Sequence, residues 1–199
     1  IKDFVGLYEL QEKDLIQLEG FASKSASNLI KSIEASKDTS LQRFVYSLGI
    51  REVGETTALN LALNYSNVES LIKSRKEELI EINDIGPVAA DFIFEYFSKK
   101  SRVKLITKLL AFGFKLPAPK REKNPTFSGK TVVITGSFSA FSRSQLKEEL
   151  IQKGAKVTSS VSVKTNLLIA GENPGSKLAK AGELGIRILT EQELVESLN

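Results

Sequence analysis

Cysteine, histidine, methionine and tryptophan are all missing from the 199 residues of this chain. Without cysteine there are no disulfides. Without cysteine and histidine together there are no Cys/His zinc sites and no Ser-His-Asp or Cys-His nucleophile, which excludes most enzyme classes for these residues. Long apolar runs are also lacking: none approaches the roughly 18 residues of a membrane helix, and no secretory signal precedes the first patterned segment. A cytoplasmic location is the resulting expectation. A sequence that opens at Ile1 and has no methionine is expected to be part of a longer polypeptide, so its function is that of a part. Charge of one sign is scarce as well. The net charge is +4, and residues 1–116 hold 16 basic and 16 acidic side chains. An anionic partner of that region would have to be held by backbone donors and a few placed cations, because no broad basic face exists.

What is present is a repeat. The order apolar, any, any, apolar, small, three of any, Ala occurs three times at intervals of 32 residues. The copies are Leu18-Glu-Gly-Phe21-Ala22 to Ala26, Ile50-Arg-Glu-Val53-Gly54 to Ala58, and Ile82-Asn-Asp-Ile85-Gly86 to Ala90. After each alanine, apolar residues return three, four and seven positions on: Leu29, Ile30, Ile33; Leu61, Ala62, Tyr65; Ile93, Phe94, Phe97. This is helical spacing after a short hairpin, and these stripes are assigned to core. A longer period of 64 relates Leu7-Tyr8 and Asp14-Leu15-Ile16 to Leu71-Ile72 and Glu78-Leu79-Ile80. Odd and even copies therefore differ. If two hairpins make one compact unit, the second and third form a pair and the first has its mate upstream.

A helix-hairpin-helix sets a small-residue turn at the start of its second helix, where several backbone N–H groups converge at the positive helix end and bind phosphate. A small side chain lets a nucleic-acid backbone approach. The candidate DNA-backbone contacts are therefore Gly20 and Ala22 in the first turn, Gly54 with its neighbour Glu55 in the second, and Gly86 and Pro87 in the third. Proline suits a first helical position, which needs no N–H. Lys24 and Arg51, with Arg43 beside them, are candidate phosphate partners. Two departures stand out: the small residue of the first copy is Ala22, and the glycine two positions earlier is present only as Gly20, with Glu52 and Asp84 in its place elsewhere. The bland reading is that the hairpins are scaffold, with glycine serving only the turn.

A helical pattern over about Val103 to Phe112 stops at Gly113, and Leu116-Pro-Ala-Pro-Lys-Arg-Glu-Lys-Asn-Pro125 reads as a linker. The expected division is an all-α domain at 1–116, a linker at 117–126 and a second domain at 127–199. In the second, strands are expected at 131–135, 156–158, 167–170 and 187–189, with helices at about 143–153, 177–184 and 191–198. That alternation predicts a small α/β domain with a parallel four-stranded sheet flanked by helices. Ser142-Arg-Ser-Gln145 and Thr190-Glu-Gln-Glu193 read as capping boxes, and Gly154-Ala155 as a tight return into a strand.

Phe44-Val-Tyr-Ser-Leu-Gly-Ile-Arg-Glu-Val-Gly-Glu55 resembles the helix-hairpin-helix region of bacterial NAD-dependent DNA ligases. Past the linker, Phe127-Ser-Gly-Lys-Thr-Val-Val-Ile-Thr-Gly136, Lys153-Gly-Ala-Lys-Val157, Lys164-Thr-Asn-Leu-Leu-Ile-Ala-Gly171 and Gly175-Ser-Lys-Leu-Ala-Lys180 resemble the BRCT domain of the same family. The resemblance covers essentially the whole chain. It implies the C-terminal portion of an enzyme that seals 5′-phosphate/3′-hydroxyl nicks during replication and repair, through an adenylated lysine with NAD as donor. The partners implied are nicked double-stranded DNA and upstream ligase domains, at the nucleoid and with no membrane. NAD, Mg and Zn are implied for the full-length ligase only: no catalytic residue, metal site or bound cofactor is expected here, since no Lys-x-Asp-Gly motif occurs. The resemblance further implies that Thr135 and Gly136 could hold a phosphate with Lys180, or Lys177, supplying charge. The family's tryptophan in the last helix is absent, which weakens a peptide-groove reading. Neither a dinucleotide fingerprint at Thr135-Gly136 nor a P-loop at Gly171 to Lys177 is complete. The alternatives are the DNA-binding module of another repair protein and an interaction adaptor whose BRCT domain reads a phosphopeptide.

Overall fold

The computed structural model describes residues 1–198; Asn199, the last residue of the expected second domain, lies outside the described residues. The chain forms two compact units, Ile1–Pro119 and Lys120–Asn199. No helix among the described residues is long and apolar enough to cross a membrane.

The first unit is helical: α1 (Phe4–Tyr8), α2 (Glu12–Ile16), α3 (Ser23–Ala35), α4 (Leu41–Ser47), α5 (Glu55–Asn64), α6 (Val68–Ile72), α7 (Lys76–Ile80), α8 (Pro87–Ser98) and α9 (Lys100–Leu110). The pairs α2–α3, α4–α5 and α7–α8 pack as the three hairpins. Their second helices start at Ser23, Glu55 and Pro87, holding the 32-residue interval. The 64-residue period is equally plain, because α1, α2 and α3 begin that far before α6, α7 and α8.

One core joins the second and third hairpins. Phe44, Val45, Ile50, Val53, Ala58 and Leu61 share a buried cluster with Leu79, Ile82, Ile85, Ala90, Ile93 and Phe97. Each fully buried side chain of this size contributes roughly 1.5–3 kcal/mol, which ties the two hairpins into one rigid body. The first hairpin buries Leu15, Ala26 and Ile33, but Leu18 is 55% exposed. The preceding α1, which packs on α3, ties it to the rest partly through aromatic rings: Tyr8 lies 5.1 Å from Phe114, which lies 5.6 Å from Phe44. Phe94, expected in the core stripe, is 46% exposed. The buried arc of α8 runs through Ala90, Ile93 and Phe97 with Ala89, Phe92 and Tyr96 beside it. It is therefore centred on the i+3 side, and the i+4 position points out.

The expected linker at 117–126 is divided between the units. Leu41 N–H donates to Pro117 O (3.1 Å) in the first unit. In the second, Glu122 N–H donates to Gln152 O (2.9 Å), and Asn124 Nδ2 donates to Ser197 O (2.8 Å). The helix expected over 103–112 is α9, which starts three residues earlier.

The second unit contains β1 (Thr131–Thr135), α10 (Arg143–Gln152), β2 (Lys156–Thr158), β3 (Leu167–Ala170), α11 (Ser176–Glu183), β4 (Arg187–Thr190) and α12 (Glu191–Leu198). The sheet is parallel throughout, in the order β2-β1-β3-β4. Alternation along β1 and β3 makes two cores, as strand geometry requires. Val132, Ile134, Leu167 and Ile169 pack with Leu146, Leu150 and Leu194, whereas Val133 and Leu168 pack with Val161 and Ala181.

Both expected capping boxes form. Gln145 N–H donates to Ser142 Oγ, and Ser142 N–H donates to Gln145 Oε1 (2.9 Å); the Thr190 N–H and hydroxyl both donate to Glu193 Oε2 at 2.8 Å. Glu191 carries a second carboxylate clamp. Its Oε1 accepts from Ala140 N–H (2.9 Å), Ser139 N–H (2.7 Å) and Ser139 Oγ (2.9 Å), fixing the start of α12 to the loop after β1. The Ala140 backbone bond first, then the two Ser139 donors, hold the Glu191 carboxyl below the usual glutamate range, and Thr190 does the same for Glu193. The stability these groups supply is complete above the unfolded-chain value of about 4.3 and is lost as pH falls through the folded values. Calorimetric unfolding should therefore show the transition of the sheet domain moving to lower temperature as pH drops below about 4.3, and Glu191→Gln should flatten that dependence.

Candidate nucleic-acid interface

The three hairpin turns share one backbone conformation. Phe21 N–H donates to Leu18 O, Val53 N–H to Ile50 O and Ile85 N–H to Ile82 O, each at 3.1 Å. The third residue of each four-residue turn has positive φ: Gly20 at 86°, Glu52 at 63° and Asp84 at 68°. These are the marks of a type II turn, which needs the left-handed region at that position. Glutamate held there costs roughly 1–2 kcal/mol, and aspartate less, because a short polar side chain tolerates that region. The cost is offset by the apolar residues that flank it, since Ile50, Val53, Ile82 and Ile85 are all buried. Glu52 and Asp84 therefore preserve the hairpin geometry that Gly20 has, and they are two of the three non-glycine residues with positive φ among those described.

Glycine at 54 and 86 has a different explanation. Both are the N-cap residues of their helices, with φ of −85° and −82°, values that any residue adopts. A Cβ added at either would meet nothing within 4 Å. The fold thus demands glycine at neither position. Ala22 occupies the same N-cap place before α3. None of the three offers a side-chain acceptor to the first-turn N–H groups, whereas α1, α4, α6 and α10 are capped by Asp3, Ser40, Asn67 and Ser142. A missing cap costs about 1 kcal/mol. What remains is an exposed helix N-terminus with bare backbone and unclaimed donors, an arrangement that suits an oxyanion.

Tertiary contacts set the turns relative to one another. Asn60 of α5, only 5% exposed, donates from Nδ2 to Asn83 O in the third turn at 3.0 Å. Arg51 of the second turn reaches the third hairpin, where its guanidinium carbon stands 4.8 Å from the centroid of Phe92. Lys24 is exposed at the second position of α3. Glu55 is exposed at the first position of α5, equivalent to Ser23 and Pro87; its carboxylate repels a phosphate, so its contribution to an anion site is its N–H. Arg43 lies instead on α4, lining an apolar cavity of about 390 Å³ with Phe4, Tyr8 and Phe114. No cationic side chain lies within three positions of Gly86, and nearby Lys76 is paired with Asp91.

The end of β1, where the resemblance implies a phosphate pocket, is closely packed. Thr135 is 5% exposed and its hydroxyl donates to Pro174 O at 2.5 Å. Gly136 lies against the Gly171–Glu172 backbone so closely that a Cβ would collide with it, and Ser137 and Glu172 exchange backbone hydrogen bonds of 2.9 and 2.8 Å. The loop from Gly171 to Pro174 thus uses the threonine proton and covers the glycine. Lys177 and Lys180 lie on α11, the latter exposed. No group of three or more Asp and Glu residues among those described is placed to hold a metal ion.

Residues 43–106 match the family model for the helix-hairpin-helix motif, the span of the second and third hairpins. Residues 122–198 match the model for the BRCA1 C Terminus (BRCT) domain. Among curated relatives, the DNA ligase of Legionella pneumophila (strain Paris) is 46% identical over 197 residues, covering 97% of this chain and 29% of its own length. Those of Myxococcus xanthus (strain DK1622) and Coxiella burnetii (strain RSA 331 / Henzerling II) are 44% and 43% identical over 198 residues, 100% of this chain and 30% of theirs. The chain spans about 30% of the length of the curated relatives it matches. Three hairpins of one geometry, a parallel BRCT sheet and this unbroken similarity place the chain in the DNA ligase family.

Proposed function

We propose that this chain is the DNA-gripping C-terminal portion of an NAD-dependent DNA ligase, which seals 5′-phosphate/3′-hydroxyl nicks in duplex DNA during replication and repair. The reading rests chiefly on Gly54 and Gly86. Each leaves the N-terminus of a buried-core helix bare where the fold itself has room for a side chain and needs no unusual φ. A glycine that the protein does not require for its own packing is explained by a partner that comes close, and uncapped N–H groups at a positive helix end define that partner as an anion. Two such termini fixed in one core, with Asn60 tying one helix to the other turn, suit a partner with repeated phosphates. Donors on the backbone read no base, so binding is expected without sequence preference.

In the parent enzyme the chemistry supplied from elsewhere is adenylate transfer from NAD through a lysine, with Mg and Zn as the further implied groups. This chain has no Cys or His to give zinc and no Lys-x-Asp-Gly motif, so its residues fit a holding role on nicked duplex beside upstream ligase domains. The proposed location is accordingly the nucleoid.

Gly54→Val and Gly86→Val should each fold normally, since a Cβ added at either position meets no obstacle, yet weaken binding to nicked duplex by roughly tenfold, the worth of one charge-assisted hydrogen bond of about 1.5 kcal/mol. Electrophoretic shifts on several unrelated duplexes check this, with circular dichroism for folding; unchanged affinity in both variants would make the hairpins scaffold. Glu52→Gly should have the opposite effect, tightening DNA binding by removing a carboxylate from the turn and raising the melting temperature by relieving the left-handed glutamate. Because the hairpin unit is neutral, log affinity against log salt should correspond to about two to five released counterions. Incubation of the purified chain with radiolabelled NAD should leave it unlabelled, whereas a stable adenylated adduct would refute the division of labour.

A further inference from the structure

Beside the second turn, a groove of about 320 Å³ runs from Ile50 and Arg51 across Phe92 and Tyr96 to Lys99 and Arg102. Resting on the reading that this chain holds DNA, we propose that Arg51, Lys99 and Arg102 form a second backbone clamp that takes a phosphodiester of the duplex not held by the hairpin N-termini.

Three observations carry this. First, both guanidinium groups are laid on aromatic faces: Arg51 lies 4.8 Å from the Phe92 centroid, and Arg102 lies 5.3 Å from the Tyr96 centroid. The ring contact uses one face of each guanidinium, and Arg102 also hydrogen-bonds the Tyr96 side chain, which leaves the remaining N–H donors of each fork for a phosphate. It also fixes two long side chains before any ligand arrives, so little rotamer freedom is lost on binding. Second, the groove concentrates charge in a unit whose total is neutral. Three cations line it against one carboxylate, Glu95. Glu95 pairs with Lys99 at 2.8 Å, but both side chains are more than half exposed. Such a pair is worth well under a typical phosphate contact, so a phosphodiester can compete for the lysine. Third, the groove starts on the hairpin itself. Arg51 is the second residue of the turn that ends one residue before Gly54, so a strand held at the α5 N-terminus passes the groove mouth. A clamp on α8 and α9 then contacts a phosphate that the uncapped helix ends do not.

The test uses the whole chain and nicked duplex. Arg102→Ala should weaken binding about tenfold on every sequence and lower the salt slope by about one counterion. Arg102→Lys should recover only part of the affinity, because an ammonium neither stacks nor forks. Lys104→Ala, an exposed cation on the same helix outside the groove, should stay within about twofold of wild type, since a screened surface charge contributes little. Wild-type affinity and slope in Arg102→Ala, with Gly54→Val still impaired, would overturn the clamp and leave the hairpin reading standing. A wild-type chain that binds no duplex would overturn both. Titration with inorganic phosphate separates a backbone site from one for a free anion: the clamp predicts no saturable shift of the Arg102 Nε–H resonance beyond that produced by chloride at equal ionic strength. Saturation by phosphate, together with unchanged DNA affinity in Arg102→Ala, would reassign the groove to a free anion.

Discussion

The second helix of each hairpin begins after a turn whose third residue is left-handed, and the exposure of that helix's first turn depends on that torsion. With φ positive at Gly20, Glu52 and Asp84, the chain reverses within four residues and delivers the next helix with its first-turn N–H groups facing solvent. The flanking apolar pairs, Ile50 with Val53 and Ile82 with Ile85, are driven into the core by the same reversal. Burial of those four side chains outweighs the strain of a non-glycine residue there. The turn therefore both anchors the core and exposes the helix end.

That duality explains the division between the hairpins. Where two turns share a core, Asn60 and Arg51 can cross from one hairpin to the other, and the two helix ends become one surface. The first hairpin has the same turn but a different setting, with Leu18 exposed and its attachment made through Tyr8, Phe112 and Phe114. In the BRCT domain the same elementary device is used inward. Glu191 fills the N–H groups of Ser139 and Ala140, and the Gly171–Pro174 loop fills the end of β1. At these two places polar groups are satisfied within the protein itself, in keeping with a structure in which no described buried side-chain polar atom lacks a partner.

Much of this was legible along the chain. The 32- and 64-residue periods located every hairpin, Pro87 marked a helix start, and Ser142 and Thr190 capped the helices their boxes announced. These succeed because turns, caps and amphipathic periods depend on residues within a few positions of each other. Phe94 misled because a period defines a stripe only to within one residue, and the neighbouring helix selects its centre. The surroundings of Thr135 were not legible, because its hydroxyl finds an acceptor 39 positions away. Glu52 and Asp84 look like losses of a needed glycine, but the backbone keeps the conformation once Val53 and Ile85 are buried.

By itself the sequence determined the number of hairpins, their spacing, the parallel α/β character of the second domain and the lack of any Cys or His side chain, all set by local periodicity and composition. Only the tertiary structure decided which donors stay open. Gly54 and Gly86 are free of their surroundings and Thr135 is not; Arg51 and Arg102 lie on Phe92 and Tyr96 and face one groove. The physical reason is that a hydrogen-bond donor becomes a binding group only when no acceptor of the protein reaches it first, and that competition is settled by contacts between segments distant in the chain.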